Sequence, residues 1–231
     1  MIVDEREIPA AQVPAKSAKP RRSHAERRAE GSIRIIDATI QCLDRHGYGG
    51  ATIDEILRVS GVSRGRLLHL FPAKVDIMLA VCRHTWENHL RYMRKWARQY
   101  TSPEERLLDW ANLSWKMMSS PNGMAVLEIL LACRSDPELA SRFVPEHQRI
   151  QNEAIAQLKA LIDSLNLDRE IDAPALHHLA EACIACIRGL AIERALSSER
   201  DAPPAALHIW QASIAHFLSA RIAPGAIPRE S

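Results

Sequence analysis

The sequence predicts an all-α protein in which a small N-terminal three-helix domain precedes a larger helical domain. Three observations predict it. Only 9 of 231 residues are Gly, with few alternating β-branched runs; the 13 Pro fall mostly at candidate helix starts or in the tails; and apolar residues recur at helical spacing. With 47% hydrophobic and 25% charged residues, the chain is neither disordered nor fibrous and can bury one sizeable core or two smaller ones.

Residues 1–23 carry Pro9, Pro14 and Pro20 without periodicity and read as a disordered arm. The arm ends in Lys16, Lys19, Arg21 and Arg22, continued by Arg27 and Arg28, a basic run suited to phosphates or a minor groove. In the predicted first domain, residues 24–72, Ile33, Ile36, Ile40 and Leu43 stripe a helix that stops at Gly47 in a C-cap role. Thr52 then caps a short helix, with Glu55 three residues on completing a capping box and Ile53, Ile56 and Leu57 on its inner face. Gly61 interrupts that period with a residue that takes positive φ freely. Ser63 caps the next helix. There Leu67, Leu70 and Phe71 share one face, while Gly65 and His69 point the opposite way, flanked by Arg66 and Leu68. Two short helices joined by a Gly turn, with an outward face small enough for close approach and equipped to hydrogen-bond, suit a helix-turn-helix in a DNA major groove. Residues 1–100 hold 18 Lys and Arg against 11 Asp and Glu; residues 101–231 hold 12 against 17. A basic first part on an acidic remainder fits double-stranded DNA as the partner of the first.

The second domain is predicted over residues 73–222, opening with a linking helix over 73–99 that carries Val75, Met78, Leu79, Cys82, Trp86, Leu90 and Met93 on one face. Lys74 lies in its first turn, where free amides and the helix dipole favour an anion such as a phosphate. Ser102-Pro103-Glu104-Glu105 starts a helix to about Ser119, Pro121-Asn122-Gly123 reads as a turn, and Met124–Arg134 as a short apolar helix. Ser135-Asp136-Pro137 caps a helix to Leu165, kinked near Pro145. Asp172-Ala173-Pro174 opens one to about Leu196, and Pro203-Pro204 opens the last, to about Arg221, before a tail over 223–231.

From about Glu26 to Trp86 the chain resembles the tetracycline-repressor (TetR) family of bacterial transcription regulators. The resemblance is carried by Gly47, Thr52, Ile56, Gly61-Val62-Ser63, Gly65, Leu67, Phe71 and Lys74, in register over a full three-helix unit. It implies that Thr52, Ser63, Arg64, Gly65, Arg66, Leu68, His69 and Lys74, with Arg21 and Arg22 of the arm, face DNA. Leu57 and Val59 stand where Ala is usual, a conservative repacking; Leu68 replaces a frequent phosphate-contacting Tyr and offers an apolar contact instead, such as one to a thymine methyl. The resemblance also implies a homodimer in which the last two helices form a four-helix bundle, through Leu179, Cys183, Ile187 and Leu190 on the first and Ile209 and Phe217 on the second. Gly189-Leu190-Ala191 resembles a stretch common there.

Trp110, Trp115, Met117, Met118, Leu127, Leu131 and Phe143 are candidates to line an apolar effector cavity, with Glu128, Arg134 and His147 as polar handles. The expected partners are therefore DNA, a second copy of the chain and a small apolar or amphipathic molecule, with no membrane, metal or cofactor. Cys183-x-x-Cys186 lacks the second ligand pair that a zinc site needs, and no catalytic constellation is present in the sequence. The absence of a signal peptide or spanning segment points to the cytoplasm. Repression is the family's usual activity; an effector-independent nucleoid-associated or adaptor protein on the same fold is the alternative.

Overall fold

The computed structural model describes residues 23–165, 173–197 and 205–219. These form nine helices and no strand: α1 (His24–Gly50), α2 (Ile53–Ser60), α3 (Arg64–Leu70), α4 (Lys74–Ala97), α5 (Pro103–Met118), α6 (Pro121–Ala132), α7 (Pro137–Asp163), α8 (Ala173–Ala195) and α9 (Ala205–Ser219). Most starts are set by a side-chain cap. Ser23 and Glu26 form a reciprocal box, and Thr52, Ser63, Ser102, Ser120 and Asp136 each accept a first-turn amide. The predicted box at Thr52 is only half made: Thr52 accepts from Glu55 N at 3.2 Å, but the Glu55 carboxylate turns to Arg58 at 2.6 and 2.8 Å. A guanidinium one turn on outcompetes a single backbone amide for the carboxylate.

Pro121-Asn122-Gly123 is not a free turn. It forms the first turn of α6, with Ser120 as cap and Pro121 at the first helical position. Gly123 is buried there because α6 starts against the end of α5: a Cβ on it would stand 2.4 Å from Met117 O and 2.5 Å from Met118 O. Pro145 sits within α7, whose helix continues on both sides of it.

One apolar core runs from Ile35, Leu43, Ile56 and Leu67 of the first three helices through Ile77 and Met78 of α4 to Ile129 of α6 and Phe143 of α7, without a break. Two smaller clusters extend it. Trp115, Leu127, Ile187 and Leu207 join α5, α6, α8 and α9, and Ile155, Leu158, Ile162 and Ala180 join α7 to α8. The helix-turn-helix is thus packed as part of the body that holds the rest, and α4 belongs to both.

Substituting Gly123→Ala forces a methyl against two backbone carbonyls and is expected to destabilise the fold by about 1–3 kcal/mol, read as a lower denaturation midpoint with unchanged slope.

Candidate nucleic-acid interface and ligand cavity

Helix α3 is anchored by Leu67, which is fully buried, while Arg64, Gly65, Arg66, Leu68 and His69 are exposed. A Cβ at Gly65 would meet nothing within 4 Å, so this face stays open to close approach. Arg64 pairs with Asp54 of α2, and Arg66 reaches Arg27 O, setting α1's N-terminal turn beside α3. Arg27, Arg28, Arg66, His69 and Leu70 line one surface depression, where three guanidinium groups converge with the His69 ring. Thr52 and Ser63 are exposed but their hydroxyls serve as caps. Arg34 clamps α1 to the end of α2 through Ser60 O at 2.7 Å. Arg21 and Arg22 lie outside the described residues.

Tyr48 joins this unit to the rest. Gly47, at φ 64° and ψ −178°, breaks the α1 geometry and turns Tyr48 toward three other helices. The Tyr48 amide donates to Glu128 Oε2 of α6 at 3.3 Å, its carbonyl accepts from Lys74 Nζ of α4 at 3.0 Å, and its hydroxyl donates to Asp136, the α7 cap, at 3.1 Å. Burial, then the bond to Asp136, pushes the phenol up to about 12. Lys74 also lies 3.9 Å from the Tyr48 ring centre, and its partial burial lowers its pKa. Lys74 therefore has an intramolecular task beside any contact it makes to phosphate.

Behind this junction α4, α5, α6, α7 and α8 line a partly open cavity of about 160 Å³. Its wall is largely apolar, formed by Trp86, Met93, Trp110, Met117, Met118, Val126, Leu127 and Ile184, with polar groups from Thr85, His89, His147, Gln151 and Arg188. Arg188 Nη2 lies 3.2 Å from His147 Nε2 and 3.2 Å from Gln151 Oε1. Burial, reinforced by the Arg188 charge, pushes His147 down to about 4, and burial alone does the same to His89, whose ring stacks on Trp86 at 5.0 Å. Both imidazoles are neutral at neutral pH.

The bacterial regulatory protein model of the tetR family matches residues 35–81, the stretch from mid-α1 through the recognition helix into α4. Residues 35–81 are thus a TetR-family DNA-binding unit. It is 25% identical over 159 residues to the HTH-type transcriptional repressor AcnR of Corynebacterium glutamicum, covering 65% of this chain and 76% of that protein. Two solved regulators share its fold at a TM-score of 0.61: one from Saccharomonospora viridis in complex with choline, 18% identical over 84% of this chain and 98% of that one, and FadR from Bacillus subtilis in complex with stearoyl-CoA, 16% identical over 85% and 99%. The chain is accordingly a DNA-binding transcription regulator.

Of the predicted effector residues, Trp110, Met117, Met118, Leu127 and His147 stand on the cavity wall. The others do not. Phe143 is fully buried behind His147, its ring 5.8 Å away; Trp115 packs into the cluster with Ile187 and Leu207; Leu131 is exposed and Arg134 lies outside the wall; and Glu128 is taken by Tyr48. A helical stripe reveals burial but not which buried residue borders a void. Sequence reasoning missed Arg188, whose one signal is a cation spaced between Ile184 and Ala191 on an otherwise apolar stripe.

The predicted dimer stripe packs largely within the subunit. Cys183 and Ile187 are buried within the subunit, and Leu179 and Leu190 are packed against its own clusters. The outward face of α8 carries Ala182, Ala185 and Gly189, with Leu196 exposed just past its end and Ile209 of α9 70% exposed; the Phe217 side chain lies outside the described residues. Helix α8 is apolar on two sides, so the bulkier side marks the subunit core and the smaller one faces out. Burial pushes the Cys183 thiol up to about 12, which leaves it protonated and inert at neutral pH, and no group of three metal-ligating side chains occurs among the described residues. No helix among those residues is long and apolar enough to cross a membrane.

Because His89 and His147 titrate near 4 when folded and near 6.5 when unfolded, the unfolded chain binds more protons between those values. Stability is therefore expected to be full above pH 6.5 and to fall on acidification toward 4; denaturation measured across this window should show a flatter pH dependence for His89→Gln with His147→Gln.

Proposed function

We propose that this TetR-family regulator is a repressor that binds a pseudo-palindromic operator as a homodimer and is released by a small effector seated in the α4–α8 cavity. The observation that carries this reading is that α4, α6 and α7, three of the cavity's walls, are the helices that Tyr48 ties to the DNA-facing unit. Such a cavity cannot change its shape without acting on the seat of α3. Related folds crystallised with choline and with stearoyl-CoA support a ligand-binding second domain. The described cavity is close in size to one that holds a benzene-sized guest, which favours a compact effector.

In this reading Gly65 lets α3 approach the base edges, and His69 and Arg66 supply donors there. Ser63 and Thr52 mark helix starts that face phosphates, as do Arg64 and the arm's Arg21 and Arg22. Leu68, 44% exposed, offers an apolar contact to a thymine methyl. One Lys74 hydrogen goes to Tyr48 O, leaving two for a phosphate. The small outward residues of α8, with Ile209 of α9, form the dimer contact, since two-fold pairing sets two recognition helices one turn of DNA apart. An effector shifts the equilibrium only through its preference for one spacing over the other, a coupling of about 1–3 kcal/mol.

Fluorescence anisotropy with a selected operator is expected to show that His69→Ala narrows the gap between operator and random DNA. Lys74→Ala should weaken both together and reduce the salt slope by about one. Sedimentation showing only monomer at micromolar concentration would remove the two-fold model, and operator affinity unmoved by every compound that binds the protein would remove the effector.

A further inference from the structure

We infer that the cavity takes a compact apolar carboxylate, an aryl or branched-alkyl acid, whose anionic head is held by Arg188. The inference rests on the reading of this cavity as the effector site. Arg188 is the reason. Several other guanidinium groups meet carboxylates: Arg58 meets Glu55, Arg83 meets Glu146, Arg142 meets Asp76, and Arg149 meets both Glu146 and Glu153; others, such as Arg34 and Arg66, meet backbone carbonyls outside any cavity of apolar wall. Arg188 stands on the wall of an apolar cavity, yet its hydrogen-bond partners are two neutral groups, His147 and Gln151, and no carboxylate among the described residues forms an ion pair with it. Glu153 of α7 is held instead by Trp86 Nε1 at 2.8 Å and by Arg149. A cation in such a setting calls for an anion to offset its lost hydration.

The neighbours suit a carboxylate as well. With Nε2 of His147 accepting from Arg188, its proton sits on Nδ1, which is buried without a hydrogen-bond partner, and the buried Thr85 hydroxyl also lacks one. Both are neutral groups that can donate, on a wall whose single formal charge is the guanidinium. Trp86, Trp110, Met93, Met118 and Leu127 leave the remaining surface apolar, so the body of the ligand is hydrophobic. The volume of about 160 Å³ suits one ring or a short branched chain. A quaternary ammonium would enter beside a like charge. The acid, unlike its amide, can accept from the guanidinium with both oxygens as an ion, the stronger form of this hydrogen bond.

The test is isothermal titration of the full chain with benzoate, phenylacetate and 3-methylbutanoate, against benzamide, benzyl alcohol and choline. At least one acid is expected to bind about tenfold or more tightly than its neutral counterpart, with choline silent. Arg188→Met should abolish that preference while leaving benzyl alcohol binding unchanged, and Arg188→Lys should restore part of it. Should Arg188→Met fail to fold, the charge series on the unaltered chain decides alone. Equal binding of acid and amide, tighter binding of choline, undiminished acid binding by Arg188→Met, or no acid bound at millimolar concentration would each overturn the inference. Operator release, measured separately, keeps the two readings apart: an acid that binds without moving DNA affinity upholds the site and defeats its effector role, whereas release by a neutral or cationic compound alone upholds the effector role and defeats the carboxylate.

Discussion

The positive φ at Gly47 is the constraint on which the two-part design depends. It stops α1 where Tyr48 can present its amide, carbonyl and hydroxyl to α6, α4 and α7 at once. A side chain at position 47 would be strained in this conformation, and its Cβ would stand 3.1 Å from Glu128 Oε2, crowding the carboxylate that holds Tyr48. Each of the three hydrogen bonds contributes only about 1 kcal/mol net, but together they leave the three-helix unit little freedom to rock against α4 alone. The unbroken core from Ile35 to Phe143 reinforces this rigidity. Motion at α3 therefore has to come from the helices behind Tyr48.

Helix α6 is the shortest physical connection between cavity and junction. Successive residues on a helix point about 100° apart, so Leu127 and Glu128 face different surroundings: Leu127 borders the cavity and Glu128 holds Tyr48. The same helix cannot slide toward α5, because Gly123 already brings it to the Met117 and Met118 carbonyls. With translation blocked at its N-terminal end, pressure from the cavity has rotation or tilt about that end as its remaining outlet. Either moves the Glu128 carboxylate relative to Tyr48 N.

The parts legible in the sequence are those fixed by local chemistry. Thr52, Gly61 and Ser63 set helix ends within a few residues of themselves, and the 67/71 spacing identified the buried side of α3. Local signals also compete. Pro121-Asn122-Gly123 carries every mark of a turn, yet a Ser cap and a Pro at the first position make the same residues a helix start. Tyr48 went unseen because its partners Glu128 and Asp136 lie 80 and 88 residues away. Much of the cavity wall was missed for the related reason that packing decides where a void falls, and periodicity reports only which side of a helix is buried. On α8, where both sides are apolar, periodicity chose the side that the subunit itself consumes.

That double-sided character gives α8 two roles in one element. Ile184, Ile187 and Arg188 face the cavity, while Ala182, Ala185 and Gly189 face outward, interleaved along the same helix. Small residues allow a neighbouring helix to approach closely, and at close approach a small rotation is felt across the contact because no long side chain can absorb it. A charge bound at Arg188 acts on the helix that, in the proposed dimer, also sets the distance between subunits. In the proposed mechanism two mechanical outputs then leave one cavity, through α6 to the seat of α3 and through α8 to the spacing of two such helices, and a ligand need deform neither route far for both to disfavour a fixed half-site separation.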